Sequence, residues 1–66
     1  MSKINTQPNI AGADDFYAEL LAIHDGRPKA ESDAINARLI LLLANHIGDR
    51  AVLTDAMTKA VDCGHR

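Results

Sequence analysis

The sequence predicts an all-α fold of three antiparallel helices that follow a flexible N-terminal tail. Apolar residues recur at spacings of three and four along most of the chain, which is the period of an α-helix. Gly26 and Gly48 interrupt this pattern at the two places where a helix should stop. The alternating pattern of strands is missing from the sequence, and short connections between helices favour antiparallel neighbours.

The length of the chain, 66 residues, allows one domain. A domain of this size buries only about 60% of the surface that its unfolded chain exposes, and such domains often depend on metals, disulfides or oligomerisation. Residues 1–12 show neither the helical nor the strand period, so they are predicted to form a flexible tail. The single helical domain is predicted over 13–63.

Helix 1 is predicted over about 14–25, in the segment ADDFYAELLAIHDG. We expect Asp14 or Asp15 to cap its N-terminus, because a carboxylate at that position accepts hydrogen bonds from free backbone N–H groups. Gly26 is expected to end the helix in the left-handed conformation. The apolar face consists of Phe16, Tyr17, Leu20, Leu21, Ile23 and, at its end, His24.

Helix 2 is predicted over 29–47, a rod of roughly 28 Å at 1.5 Å per residue. Pro28 suits its first turn, where a missing N–H group has no consequence, and Gly48 is the expected stop. Helix 3 is predicted over 50–62 with Asp49 as its N-cap. Its apolar stripe consists of Val52, Leu53, Ala56, Met57, Ala60 and Val61, and its polar stripe of Thr54, Asp55, Thr58, Lys59 and Asp62.

The circumference of helix 2 has an unusual surplus of apolar residues. A broad apolar strip carries Ile35, Leu39, Ile40, Leu42, Leu43 and Ile47, and a second strip carries Ala34, Ala37, Leu41, Ala44 and Gly48. Glu31, Arg38 and Asn45 form the narrow polar strip. We expect helices 1 and 3 to cover the broad strip from two sides, which leaves the alanine strip for another helix. The predicted interface consists of Ala34, Ala37, Arg38, Leu41, Ala44 and Asn45.

The composition argues against several classes of partner. The net charge is −2 and the seven Lys and Arg residues are dispersed, so nucleic acid and anionic membrane surfaces are not expected. The longest apolar run has six residues, far below the roughly 20 that span a bilayer. Cys63 is the sole cysteine, which suits a reducing compartment. The sequence therefore predicts a soluble cytoplasmic protein.

Polar residues that could carry chemistry gather at the end of helix 2. Asn45, His46 and Asp49 form this group, and His24 could join them across an antiparallel dimer. The alternative interpretation is structural: His24 near a helix C-terminus benefits from the helix dipole, and His46 can bond free carbonyl groups. No motif for a metal, a phosphate or a nucleophile is present, so neither a metal nor a cofactor is predicted, and an enzyme is not the favoured class.

The segments FYAELLAIHDG and INARLILLLANHIGDRAVLTDAM resemble a family of small bacterial helical proteins known only as a domain of unknown function. The similarity extends from about Asp14 to Ala60 and is clearest at the run 36–38, the leucine run and the run 45–49. Pro28 and Lys29 depart from it, since a Ser-Asp cap is expected there. The resemblance implies a compact helical fold without an assigned activity. The resemblance also suggests a partner protein, because members of such families are often encoded beside flavin-dependent aromatic hydroxylases.

Two functional hypotheses follow from these observations. The first is a non-catalytic helical interaction module that self-associates or serves as an accessory subunit of a larger enzyme, such as a flavin-dependent aromatic hydroxylase. The surplus of apolar surface on helix 2 motivates it. The alternative is a small metal- or ligand-binding protein that uses Asn45, His46 and Asp49, with His24 contributed across a dimer.

Overall fold

A computed structural model describes residues 3–63 and shows three helices in this part of the chain. They are α1 (Ala13–Ala22), α2 (Lys29–Ile47) and α3 (Arg50–Cys63). No strand occurs between residues 3 and 63, which confirms the all-α prediction. The bounds of α2 are those that the sequence predicts, and α3 extends one residue beyond its predicted end.

The boundaries of α1 differ from the predicted ones. The helix begins one residue early, after Gly12, whose backbone is left-handed (φ 64°) and whose carbonyl oxygen accepts a hydrogen bond from the Phe16 N–H at 3.0 Å. No side chain caps this end, so the prediction that Asp14 or Asp15 would do so is wrong. Both carboxylates lie within the first turn instead, where the helix dipole still favours negative charge.

The C-terminal end of α1 comes three residues before the predicted one. After Ala22 the chain forms turns, in which the His24 N–H donates to the Leu21 carbonyl at 3.1 Å and the Asp25 N–H to the Ala22 carbonyl at 3.2 Å. Hydrogen bonds between residues three positions apart are those of a 3₁₀-helix, which often forms the tighter last turn of an α-helix. Gly26 has the predicted left-handed backbone (φ 72°), but it belongs to the connection to α2.

A single arginine links the end of α1 to the start of α2. The Arg27 Nε donates to the Ile23 carbonyl at 2.6 Å, and its Nη1 donates to the Glu31 carboxylate at 2.8 Å. Pro28 stands at the N-cap position with an extended backbone, one residue before the first turn in which it was expected. The connection is thus fixed by short-range polar contacts at both helix ends.

The corner between α2 and α3 matches its prediction closely. Gly48 is left-handed (φ 73°) and donates its N–H to the Ala44 carbonyl at 2.9 Å, which ends α2. The Asp49 Oδ1 accepts hydrogen bonds from the N–H groups of Ala51 at 3.0 Å and Val52 at 3.3 Å. This pattern is that of an N-cap, so the predicted role of Asp49 is confirmed.

The three helices form an open arrangement without a buried core. No residue among those described is buried, and no two of their helices share an extended contact. The accessible surface is 5851 Å², whereas a compact 7.1 kDa monomer exposes about 4,100 Å². The radius of gyration is 13.6 Å, whereas about 11 Å is typical of this length. The compact fold implied by the family resemblance is therefore not observed, and antiparallel packing is not confirmed.

Candidate interaction surface

The middle of α2 is exposed on every side. We call the four residues Ile40, Leu41, Leu42 and Leu43 the leucine segment; their exposed fractions are 65%, 70%, 69% and 52%. Successive residues of an α-helix are about 100° apart, so four in a row point all the way around the helix axis. At this level of α2, no side of the helix is covered by the rest of the described chain.

The predicted cover of the broad apolar strip is therefore wrong for most of its members. Ile40, Leu42, Leu43 and Ile47 are exposed, and only Ile35 and Leu39, which precede them in α2, are half-buried. The reason is geometric. The ten residues of α1 extend only about 15 Å, roughly half the length of α2, and the exposed positions lie toward the other end of α2.

The two helices do approach each other beside Leu39, at the middle of α2. An open groove of about 250 Å³ lies there, lined by Phe16, Glu19, Leu20 and Ile23 together with Leu39 of α2. Four of these five side chains are apolar and the fifth is a carboxylate. The groove shows that the α1–α2 pair leaves space between its apolar faces where a compact bundle would be filled.

The exposed apolar side chains of all three helices define the open apolar surface. Its members are Phe16, Tyr17 and Leu21 of α1, the leucine segment and Ile47 of α2, and Met57 and Val61 of α3. The chain exposes about 1,700 Å² more than a compact monomer of its mass. A standard protein–protein interface covers about 800 Å² on each partner. The surplus counts polar as well as apolar surface of the whole chain, so it is an upper limit on what one interface could cover.

The six residues predicted to form an interface lie beside this surface. Ala34 and Ala44 are half-buried, whereas Ala37, Arg38 and Asn45 are exposed and Leu41 belongs to the leucine segment. No contact in the structure tests whether they meet a partner, so the interface stays a prediction. Ile40, Leu42 and Leu43 were predicted to belong to a core within the chain and not to an interface, whereas all three are exposed.

The predicted ligand site also stays a prediction. His24 is half-buried in the turn after α1, whereas Asn45 and His46 are exposed on the last turn of α2. Asp49 already accepts two backbone hydrogen bonds as the cap of α3. Residues 3–63 contain no group of three or more His, Cys, Asp or Glu side chains arranged to hold a metal ion.

A contact that sequence reasoning did not find joins the N-terminal segment to α3. The Ile4 N–H donates a hydrogen bond of 3.0 Å to the Asp55 Oδ2, between residues 51 positions apart. This bond lowers the pKa of the Asp55 carboxyl, and Lys59, 3.5 Å away, lowers it further, although partial burial acts in the opposite direction. Asp55 was predicted to lie on the polar stripe of helix 3, whereas both Asp55 and Ile4 are half-buried. The isolated Ile4 in a polar segment was the available clue.

Comparison with known families gives one match. A family model described as "Protein of unknown function (DUF2783)" matches residues 4–62. The chain belongs to this family. The match covers all three helices almost completely and includes both Ile4 and Asp55, so it extends beyond the segment 14–60 on which the resemblance was first recognised. No curated protein and no solved structure matches the chain. Among the described residues, none of the helices has the length and apolar character that crossing a membrane requires.

Proposed function

We propose that this DUF2783 protein is a helical interaction module whose fold is completed by another protein chain. The observation that carries the proposal is the leucine segment, whose four side chains are exposed in every direction around α2. A helix of a folded domain normally has a polar face that is exposed to water. Here the apolar side chains encircle the helix.

The energetic argument concerns the stability of the open chain. Full burial of a Leu or Ile side chain contributes about 1.5–3 kcal/mol. The leucine segment and Ile47 are 49–70% exposed, so covering what remains exposed would contribute roughly 5–9 kcal/mol. This is comparable to the entire stability of a typical domain, about 5–15 kcal/mol. An isolated chain lacks this burial free energy, and association with another chain would supply it.

Two kinds of partner fit the open apolar surface. One is a second copy of the chain. The other is a larger enzyme that the protein accompanies as an accessory subunit, and the family resemblance suggests a flavin-dependent aromatic hydroxylase. In either case the protein itself supplies apolar surface and helix geometry to the complex.

Light scattering combined with a pull-down from native-host extract tests the proposal. The baits are the natural chain, a Leu42→Gln variant and a Thr58→Gln control on the exposed polar stripe of α3; glutamine is a good helix former. We expect the natural chain and the control to form an assembly, with themselves or with a captured partner, and Leu42→Gln to lose it. A folded monomer without a partner, at high micromolar concentration, would contradict the proposal.

A further inference from the structure

We propose that the groove between α1 and α2 binds a basic amphipathic helix of a partner protein with a different sequence. Apolar side chains of that helix enter the groove, and its Lys or Arg side chains face the carboxylates beside it. The inference rests on the proposed function and names the chemistry of the partner. Two observations lead to it: the uneven distribution of charge along the chain, and the form of the apolar surface at the groove.

The negative charge of the chain is concentrated on α1 and the turn that follows it. Residues 13–26 contain four carboxylates and no Lys or Arg, which gives this segment a net charge of −4. Residues 27–63 contain five Lys and Arg and five Asp and Glu, so their charges cancel. An acidic segment of this kind attracts a positively charged partner and repels a negatively charged one.

The four carboxylates of residues 13–26 are exposed and unpaired within the described part of the chain. They belong to Asp14, Asp15, Glu19 and Asp25. The ion pairs that the structure shows lie elsewhere, within residues 27–33 and between Asp55 and Lys59. The helix dipole favours the two aspartates in the first turn of α1. It gives no reason for Glu19, and it disfavours a carboxylate beyond the C-terminal end, where Asp25 lies.

Two of these carboxylates lie along the groove. Glu19 is one of its lining residues, and Asp15 stands one helical turn before Glu19 on the same side of α1. The rest of the lining is apolar and consists of Phe16, Leu20, Ile23 and Leu39. The groove therefore combines an apolar lining with a negatively charged edge, and the spacing of Asp15 and Glu19 suits basic residues one turn apart on a facing helix.

The apolar surface continues from the groove along α2. Leu42 and Leu43 follow Leu39 by three and four residues, so they lie on the same face of α2, and both are exposed. A surface elongated in this way fits the apolar face of an amphipathic helix. A small molecule fits less well, because small-molecule pockets have about 300–1,000 Å³ and enclose most of their ligand. This groove is open and has about 250 Å³.

A second copy of the chain lacks the charge that the groove attracts. Its α2 and its α3 each carry two Lys or Arg and two Asp or Glu residues, so neither helix has a net positive charge. Its α1 is acidic and would repel the α1 of the first copy. The occupant of the groove is therefore assigned to a different protein chain.

Binding of two synthetic peptides tests the inference. Both are amphipathic helices of about 18 residues, or five turns, with the same leucine face; one has lysine at every polar position and the other has glutamate. We expect the lysine peptide to bind the full chain in a fluorescence-anisotropy titration and the glutamate peptide not to bind at the same concentrations. The affinity for the lysine peptide should fall as salt is raised, because added ions screen exposed charges. Equal affinities for the two peptides would overturn the inference.

Two charge-matched variants locate the binding. Glu19→Gln removes the carboxylate that lines the groove, and Asp62→Asn removes an exposed carboxylate of α3. We expect Glu19→Gln to weaken binding of the lysine peptide about two- to fivefold, the range typical of exposed charge pairs, and Asp62→Asn to leave it nearly unchanged. Circular dichroism checks that both variants keep the natural helix content. The amide resonances of Leu20, Ile23 and Leu39 should shift on binding. Equal effects of the two substitutions, or shifts confined to α3, would overturn the inference.

The same titrations separate this inference from the proposed function. If the lysine peptide does not bind, but the natural chain self-associates or captures a protein that Leu42→Gln loses, the interaction module stands and the basic helix is the wrong partner. If the chain binds nothing and remains a folded monomer, the proposed function fails as well.

Discussion

The corner between α2 and α3 and the leucine segment lie within ten residues of each other, yet they are organised in opposite ways. At the corner, the left-handed Gly48 and the capping carboxylate of Asp49 satisfy backbone groups at the adjoining helix ends through local hydrogen bonds. In the leucine segment, the backbone is helical but the side chains have no cover within the described chain. Local backbone geometry is complete at the corner, whereas the apolar side chains of the leucine segment are exposed.

The largest expected effect comes from a change in the leucine segment. On the proposed function, Leu42→Gln removes an apolar side chain from the contact with the partner chain, so we expect dissociation to become at least about tenfold easier, taking about 1.4 kcal/mol per factor of ten. Helix content should fall at low micromolar concentration, because the open monomer is marginal. Sedimentation and far-UV circular dichroism measure both effects, with Thr58→Gln as the matched control. Equal behaviour of the two variants would remove the distinction between the segment and the rest of the surface.

A smaller effect is expected at the corner itself. Gly48→Ala forces a residue with a side chain into φ 73°, although the added Cβ would meet only the Asn45 carbonyl oxygen at 3.7 Å, an ordinary contact. The cost is therefore backbone strain of about 1–2 kcal/mol. Urea unfolding at fixed protein concentration measures it, and Gly48→Asn should recover part of the loss because Asn tolerates this conformation. Full stability in Gly48→Ala would show that the corner does not depend on a left-handed residue.

Loss of the α3 cap should destabilise the protein by a similar or smaller amount. Asp49→Ala leaves the N–H groups of Ala51 and Val52 without their acceptor, at a cost of about 1 kcal/mol. Asp49→Ser should restore most of this stability, since serine is also a good N-cap. The same urea titration applies, and an Asp49→Ser variant as weak as Asp49→Ala would indicate that capping is not the relevant role of this residue.

The smallest effect concerns the contact between the N-terminal segment and α3. The pKa of Asp55 is lowered chiefly by the Ile4 N–H, so this contact stabilises the folded state above the ordinary carboxyl pKa of about 3.9. The contribution is lost as the pH falls through the lowered pKa, because the protonated carboxyl is a weaker acceptor. We expect the Ile4 amide resonance to shift in that acidic range. In Asp55→Asn the pH-dependent shift should disappear, and its persistence would assign the titration to another group.

The sequence predicted what local rules determine. The bounds of α2, the left-handed Gly48 and the Asp49 cap all depend on interactions within a few residues, and they were predicted correctly. The start of α1 was misplaced because Gly12 supplies a left-handed entry that needs no carboxylate cap. The apolar surplus of α2 was also visible in its sequence.

The contacts between distant residues could not be predicted in the same way. Helical periodicity indicates that Leu42 and Leu43 lie on an apolar strip that is stabilised by burial. It does not indicate whether the residues that bury them belong to the same chain. Helices 1 and 3 were predicted to cover these two leucines, but in the open arrangement of the described helices both leucines stay exposed. The Ile4–Asp55 hydrogen bond spans 51 positions and has no periodic signature at all.

The most direct test of the account is the solvent accessibility of the leucine methyl groups in solution. With methyl-labelled leucine and a soluble paramagnetic agent, signal broadening can be followed for Leu41, Leu42 and Leu43 across a concentration series, with the half-buried Leu53 as the internal reference. We expect broadening of these three signals to fall toward that of Leu53 when the chain associates, either with itself as its concentration rises or with a partner captured from native-host extract. Strong broadening that persists under both conditions, in a chain that remains helical, would contradict the proposed function.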